Sequence, residues 1–186
     1  MRDLWNRLER WMEVNVPEWL EHLQPGATEE EIAEAERVLG VRFPEDFRES
    51  LKIRNGEDIR RSCGIYKGMS ILLPLEDILR EWKELVDWGE WREGDRFESV
   101  GPVKECVYHE RWIPFLVRNW ESYHALDLDP DEGGTMGQVI THDTHEDVHY
   151  VKARSFREWL EQYVTDLENG KYQVKRSVYG IFLEER

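Results

Sequence analysis

Residues 145–149 read His-Glu-Asp-Val-His, which fits the His-Glu-x-x-His pattern of zinc-dependent hydrolases. That chemistry requires a helix, because one helical turn brings both histidines to a single metal ion beside the glutamate. The flanking residues instead mix β-branched and polar types, which predicts a strand, a turn and a strand. Along a strand, His145 and His149 would lie about 13 Å apart. A metal-dependent hydrolase that uses HEDVH is therefore kept as a remote alternative.

A second group of acidic residues resembles the start of a calcium-binding loop, with Asp127, Asp129 and Asp131 at alternate positions. The EF-hand pattern requires glycine at its sixth position and glutamate at its twelfth, where this chain has Glu132 and Gln138. The alternation in LDLD is typical of a strand with leucines inward and aspartates outward. We therefore expect no calcium site.

Other candidate ligands and nucleophiles are isolated. The histidines and acids of the 142–149 segment could bind an adventitious transition metal, but histidines in exposed turns are usually only solvated. Cys63 and Cys106 have no CxxC partner or neighbouring histidine, which predicts two buried, free thiols in a reducing compartment. No phosphate-binding or nucleophile-elbow motif is present in the sequence. We expect no catalytic residue, no metal and no cofactor.

The distribution of charge is the most informative feature. From Asn119 to Val151 the sequence has no Lys or Arg, yet it contains eight acidic residues. A surface of one sign steers association with a partner of the opposite sign, and Trp is favoured at binding hot spots. The predicted partner-binding surface comprises Trp120, Glu121, Asp127, Asp129, Asp131, Glu132, Asp143, Glu146 and Asp147. The alternative is a solvated sheet face whose charges only maintain solubility.

Length and composition exclude several classes of protein. The chain has 186 residues, a net charge of −15 and a pI near 4.9. Such a field repels nucleic acid and anionic membranes and attracts basic proteins. The first residues have no continuous apolar segment of a signal peptide, and no run of residues is long and apolar enough to span a membrane. We therefore expect cytoplasmic residence.

Helices are predicted at the start of the chain. Apolar residues between Leu4 and Leu23, interrupted by Pro17, predict two short helices or one kinked helix. Thr28 and Glu31 form a capping box ahead of a helix that stops at Gly40. The next helix has Pro44 at its first position, and Asn-Gly at 55–56 closes it.

The pattern then changes to strands. Residues 64–74 predict a strand, 75–88 an amphipathic helix, and 89–95 a polar loop. Four short β-rich runs follow from Trp112 to Lys152, which predicts an antiparallel meander. Ser155 and Glu158 form a second capping box, and the apolar stripe from Phe156 to Leu167 predicts a helix covering the sheet. This order of elements predicts an α+β fold.

The string at 23–56, from LQPGATEEEIAEAERVLG to the Asn-Gly stop, resembles the opening signature of the SUKH superfamily. That group contains fungal Smi/Knr-type cell-wall assembly regulators and many bacterial immunity proteins. WIPF at 112–115, LDLDP at 126–130, GQVI at 137–140 and the final helix follow in the family's order. One departure is RNWESYH at 118–124, where members usually have a Gly-rich turn, so what those glycines do in relatives is in doubt here.

The resemblance implies a central antiparallel sheet flanked by helices, and a protein that binds toxins or signalling partners rather than an enzyme. We expect one domain at 1–172 and a C-terminal tail at 173–186 that adds an edge strand through Tyr179, Ile181 and Leu183. The first hypothesis is an immunity protein that binds a basic toxin domain through the acidic surface. The alternative is a regulatory scaffold resembling the fungal cell-wall regulators. Because those relatives typically carry long disordered flanks, the compact chain favours the first hypothesis.

Overall fold

The computed structural model describes residues 1–60, 64–92, 94–118, 122–143, 147–178 and 180–186. The helices are α1 (Arg2–Asn15), α2 (Glu29–Leu39), α3 (Glu45–Ile53), α4 (Leu75–Trp91) and α5 (Phe156–Glu168), with 3₁₀ turns at Pro17–Glu21 and Lys67–Met69. The strands are β1 (Ile71–Leu72), β2 (Glu98–Val100), β3 (Trp112–Arg118), β4 (Ser122–Asp127), β5 (Gln138–Asp143), β6 (Val148–Ala153), β7 (Tyr172–Ser177) and β8 (Gly180–Glu185). The predicted α+β class is confirmed.

Capping residues in the sequence set the ends of the helices α2 and α3. The Thr28 hydroxyl accepts a hydrogen bond from the Glu31 amide while the Glu31 carboxylate accepts one from the Thr28 amide, so the predicted capping box is present. Gly40 ends α2 in the left-handed conformation, with φ 66°. Pro44 lies at the N-cap of α3, one position before the predicted one.

Helix α4 extends beyond its predicted end. Residues 89–91 continue the helix, whereas the sequence pattern placed them in a polar loop. Gly89 lies in close contact with Tyr108, and a Cβ at Gly89 would be 3.1 Å from the Tyr108 Cβ. The glycine therefore permits helix packing rather than marking a turn.

The predicted strand at 64–74 is mostly wrong. Only Ile71 and Leu72 form a strand there, paired with β3. Gly68 and Met69 have φ values of 68° and 62°, and this left-handed backbone interrupts an extended run before it can pair.

The four central strands form the predicted meander in a six-stranded sheet with the order β1-β3-β4-β5-β6-β2. The sheet is mixed rather than purely antiparallel, because β2 pairs in parallel with β6. Strand β2 has three residues, too few to show an alternating pattern in the sequence.

Both faces of the meander are covered. On one face, Phe115 of β3 contacts Phe156 and Trp159 of α5, with ring centroids 5.2 and 4.9 Å apart. The predicted α5 stripe is buried throughout, which places this helix on the sheet as expected. On the other face, Tyr123 of β4 contacts Tyr108, and Trp88 of α4 lies against Phe97.

The C-terminal residues form a hairpin of their own. The predicted strand through Ile181 and Leu183 corresponds to β8, which pairs with β7 in a separate two-stranded sheet. Tyr172 and Leu183 belong to the buried core, and Tyr179 lies outside the described residues. Within the described ranges, no helix is both long and apolar enough to cross a bilayer.

Candidate functional site

A cleft of about 350 Å³ opens between the sheet, the second 3₁₀ turn and the C-terminal hairpin. Strands β3 to β6 all contribute to its lining. His124, Thr141 and Tyr150 are direct cross-strand partners on β4, β5 and β6, so they point to the same face. This is the face that α5 covers, because His124 contacts Trp159.

His124 is fixed in one protonation state. The indole Nε1–H of Trp159 donates to His124 Nδ1 at 3.0 Å, which leaves the ring proton on Nε2. Burial, followed by the charges of Lys152 and Lys67, lowers the pKa of His124 to about 3. The imidazole is therefore a neutral donor at the cleft and not a third positive charge beside the two lysines.

Three cationic side chains line the cleft: Lys67, Arg118 and Lys152. Lys67 lies on the 3₁₀ turn, and the Arg118 side chain packs over Gly68 in the same turn. Burial, and next the charge of Lys152, lowers the pKa of Lys67. Two like charges are thus held close together at one opening.

Aromatic and apolar side chains form part of the walls of the cleft. Tyr66 stacks on Trp159 with ring centroids 5.2 Å apart. The hairpin contributes Tyr172 and Leu183, and Glu185 is the one acidic residue among the lining side chains that the structure describes. The cleft therefore combines positive charge with surfaces that can contact side chains.

Of the HEDVH string, residues 147–149 are described, and His149 lies on the face of the sheet opposite the cleft. His149 is on β6 rather than on a helix, as expected, while residues 144–146 lie outside the described ranges. His142 and His149 are fully buried, so the expectation of solvated histidines is wrong for both. The sequence analysis placed these histidines in an exposed turn, whereas they lie on paired strands and Phe97 stacks on His142 with ring centroids 5.1 Å apart.

Both ring nitrogens of His149 are engaged. Its Nε2 lies 2.7 Å from the Cys106 carbonyl oxygen, and its Nδ1 lies 3.3 Å from His142 Nδ1. A carbonyl only accepts, so His149 carries its proton on Nε2 and accepts from His142 at Nδ1. Burial lowers the pKa of His149. In the part of the chain described, no three His, Cys, Asp or Glu residues are grouped to hold a metal ion.

The prediction that the aspartates of LDLD face outward is wrong for Asp127. The residue is fully buried, and its carboxylate accepts hydrogen bonds from the Asp129 amide at 3.1 Å and from Gln138 Nε2 at 3.0 Å. Burial raises the pKa of Asp127. Asp127 supports the β4–β5 turn from inside and cannot contact a partner directly, because the second face of the sheet is covered.

The remaining acidic residues lie at two ends of the sheet. Asp129, Asp131 and Glu132 are exposed in the β4–β5 turn. Asp147 is exposed in the β5–β6 turn at the other end, and Asp143 ends β5 with its side chain outside the described part. Six residues of β5 separate these turns by roughly 17 Å.

The ammonium group of Lys104 offsets part of the charge at the first end. Asp129 forms an ion pair with Lys104 at 2.7 Å and lies 3.7 Å from His109. Trp120, Glu121 and Glu146, which the sequence placed in the contact surface, lie outside the described residues. Asp131, Glu132 and Asp147 are therefore the exposed acids of that surface for which the structure shows no ion pair with a described residue.

Cys106 is not a candidate nucleophile. Burial raises the pKa of its thiol to about 11, so the reactive thiolate is scarce at neutral pH. The sequence predicted a buried thiol here, and the residue is half-buried. Cys63 lies outside the described residues.

The sequence alone did not reveal the cationic cleft. Lys67, Arg118 and Lys152 are each isolated along the chain, and the fold alone brings them together. The one local signal is the absence of Lys and Arg between Arg118 and Lys152, which marks these two residues as the ends of the acidic segment.

Comparison with known proteins decides the family. The sequence model of the SMI1 / KNR4 family (SUKH-1) matches residues 26–162. The chain belongs to this family. The match includes the capped α2, the meander and the three cations of the cleft, whereas the C-terminal hairpin lies beyond it.

Three fungal relatives in the SMI1 / KNR4 family align with nearly the whole chain. The glucan synthesis regulatory protein of Neurospora crassa is 28% identical over 97% of this chain and 41% of its own length. The cell wall biosynthesis/cell cycle regulator smi1 of Schizosaccharomyces pombe is 32% identical over 95% and 39%. The cell wall assembly regulator SMI1 of Saccharomyces cerevisiae is 24% identical over 90% and 40%. The chain thus spans about two fifths of the length of these relatives.

Proposed function

We propose that this chain is a protein-binding domain that serves the regulation of cell-wall glucan synthesis and has no catalytic activity of its own. The observation that carries the proposal is the alignment of nearly the whole chain with relatives named as regulators of glucan synthesis and of cell-wall biosynthesis. This is the regulatory-scaffold alternative of the sequence analysis. The immunity-protein hypothesis stays a prediction, since the three relatives described above are named as regulators and none of those names refers to a toxin.

The chemistry of the buried polar groups supports a binding role. His124 and His149 each use a ring nitrogen to accept a hydrogen bond inside the fold. Asp127 uses both carboxylate oxygens to hold the β4–β5 turn. Groups of the kind that perform acid–base catalysis elsewhere are here committed to structure.

This proposal keeps only part of the acidic partner-binding surface that the sequence predicts. Asp131 and Glu132 lie exposed on one turn, and they form the acidic contact that we assign to a basic region of a partner. Asp147, at the other end of the sheet, provides a matched site outside that contact.

A chimera tests the proposed function. This chain replaces the matched segment of S. pombe smi1, and incorporation of labelled glucose into wall glucan is measured in cells that lack the native protein. We expect the chimera to restore glucan synthesis relative to a protein from which the segment is deleted. A folded, expressed chimera that behaves like the deletion would contradict the proposal.

A second measurement separates the two hypotheses. Under the immunity hypothesis, a genome that encodes this chain would carry a toxin gene beside it, and the chain would neutralise the product. Neutralisation together with failure of the chimera would restore the immunity hypothesis in place of the regulatory one.

A further inference from the structure

We propose that the cationic cleft binds a short segment of a partner protein that carries clustered negative charge, as phosphate or as carboxylate. The inference rests on the proposed protein-binding function and names the chemistry of one ligand. It adds a second recognition surface, opposite in sign to the acidic turn at Asp131 and Glu132.

The cleft contrasts in charge with the rest of the molecule. The chain has 40 acidic and 25 basic residues, yet the described lining of the cleft has Lys67, Arg118 and Lys152 against Glu185 alone. The charge of Glu185 acts on Lys67, but the structure shows no ion pair between any of these three cations and a described residue. Three positive charges against one negative charge at a single opening repel one another, and an anionic ligand would lower that cost.

The donors suit an oxyanion group. The planar guanidinium of Arg118 can donate two parallel hydrogen bonds to a phosphate or carboxylate. The two lysines supply point charges, and neutral His124 carries its proton on Nε2 because Nδ1 accepts from Trp159. Together they provide three charges and one neutral donor around the same opening.

The size of the cleft fits more than a single ion. A volume of about 350 Å³ lies within the range of small-ligand sites, which is roughly 300–1,000 Å³. The lining crosses four strands and includes the half-buried rings of Tyr66 and Tyr150, which offer apolar contacts for neighbouring side chains. A peptide segment with an acidic side chain in the middle uses both kinds of surface.

The net charge argues against a long polyanion. Nucleic acid or an anionic membrane would extend beyond the cleft over a protein surface of net charge −15, where repulsion dominates. A short segment experiences mainly the charges within a Debye length, about 8 Å at physiological ionic strength. A short peptide is therefore the anionic ligand that this charge distribution accepts.

Fluorescence anisotropy with three labelled peptides tests the inference on the full chain. The peptides have equal length and carry clustered phosphoserine, clustered Glu, or Gln at the same positions. We expect at least one of the two anionic peptides to bind, the Gln peptide to bind at least tenfold more weakly, and binding to weaken as salt rises. Equal binding of the Gln peptide, or no binding of either anionic peptide, would overturn the inference.

Charge-neutral variants locate the site. The double variant Lys67→Gln with Lys152→Gln should lower the affinity for the anionic peptide at least tenfold. The control double variant, Lys83→Gln with Arg42→Gln, removes two exposed cations outside the cleft and should change the affinity by less than twofold. Thermal unfolding checks that both double variants are folded. Unchanged binding by the folded cleft variant would place the peptide elsewhere.

Inorganic phosphate serves as the competitor that distinguishes a peptide site from a small-anion site. We expect the peptide to bind much more tightly than phosphate, since the ion lacks the contacts with Tyr66 and Tyr150. Equal affinity would overturn the peptide part of the inference. If the chimera restores glucan synthesis while no anionic peptide binds, the proposed function stands and the cleft assignment falls.

Discussion

Trp159 on α5 donates its indole Nε1–H to Nδ1 of His124 on β4, at 3.0 Å. This bond joins the helix that covers the sheet to the floor of the cationic cleft. Since the same indole stacks on Tyr66 and contacts Phe115, packing of the core and the shape of the cleft depend on one side chain.

Replacement of Trp159 should destabilise the protein strongly. The side chain is 6% exposed, so Trp159→Ala should lower the free energy of unfolding by about 3–5 kcal/mol, the range for a buried large aromatic residue. Chemical denaturation measures this change, with Glu161→Ala on the exposed side of α5 as the control, expected within about 0.5 kcal/mol. A loss under about 1 kcal/mol for Trp159→Ala would show that the stripe is not a core element.

The neutral state of His124 predicts a pH-dependent stability. Its pKa is about 3 in the folded protein against an ordinary value of 6.5, so below pH 6.5 the unfolded chain takes up a proton that the folded chain does not. Stability is therefore lost as pH falls from 6.5 towards 3, by up to about 1.4 kcal/mol per pH unit. Burial of His149 acts in the same direction.

A variant isolates the contribution of His124. Burial raises the pKa of Glu81 to about 7, which makes stability fall as pH rises from 4.5 to 7 and opposes the histidines. His124→Asn keeps an acceptor for Trp159 and removes the titration. The difference in unfolding free energy between wild type and variant should shrink as pH falls from 7.5 to about 5; a constant difference would show that His124 does not titrate as expected.

Zinc should have no effect on the protein. His149 engages both ring nitrogens within the fold, so coordination would cost these bonds. We expect purified protein to contain no stoichiometric zinc by elemental analysis, and added zinc to leave the midpoint of thermal unfolding unchanged. Tight, stoichiometric zinc would return the metal-dependent hydrolase to consideration.

Charge reversal at the β4–β5 turn should affect partner binding and not folding. Asp131→Lys with Glu132→Lys should change the free energy of unfolding by less than about 0.5 kcal/mol, since exposed charges contribute little. In the chimera the same variant should reduce glucan synthesis, whereas Asp147→Lys, at the opposite end of the sheet, should not. Full activity of the folded double variant would leave the acidic turn without a recognition role.

Much of the architecture follows from local sequence. The Thr28 capping box, the Gly40 stop and the α5 stripe depend on residues within a few positions of one another, and periodicity reports such contacts directly. The meander is predictable for the same reason, because short β-rich runs with turns between them pair with their neighbours in sequence. The family resemblance rests on these local signatures, and the family match confirms it.

The interior of the second face was not predictable from those patterns. Alternation in LDLD predicted outward-facing aspartates, and the histidines of the 142–149 segment were expected in solvated turns. The segment at 94–112 returns to cover this face, and Asp127, His142 and His149 are buried there. The same return places β2 beside β6 in parallel. The residues of a strand do not indicate which distant segment covers it. A polar side chain that the pattern places towards solvent can instead be buried and hydrogen-bonded to Gln138 or to a backbone carbonyl.

The sequence by itself determined the class of fold, the caps and the core stripe, because these arise from contacts between residues close along the chain. Only the tertiary structure decided the distribution of charge over the surface. It separated the acids of one segment onto two ends of the sheet and gathered Lys67, Arg118 and Lys152 at one cleft. Electrostatic interaction depends on distance in space, and strand pairing together with the packing of the C-terminal hairpin sets that distance.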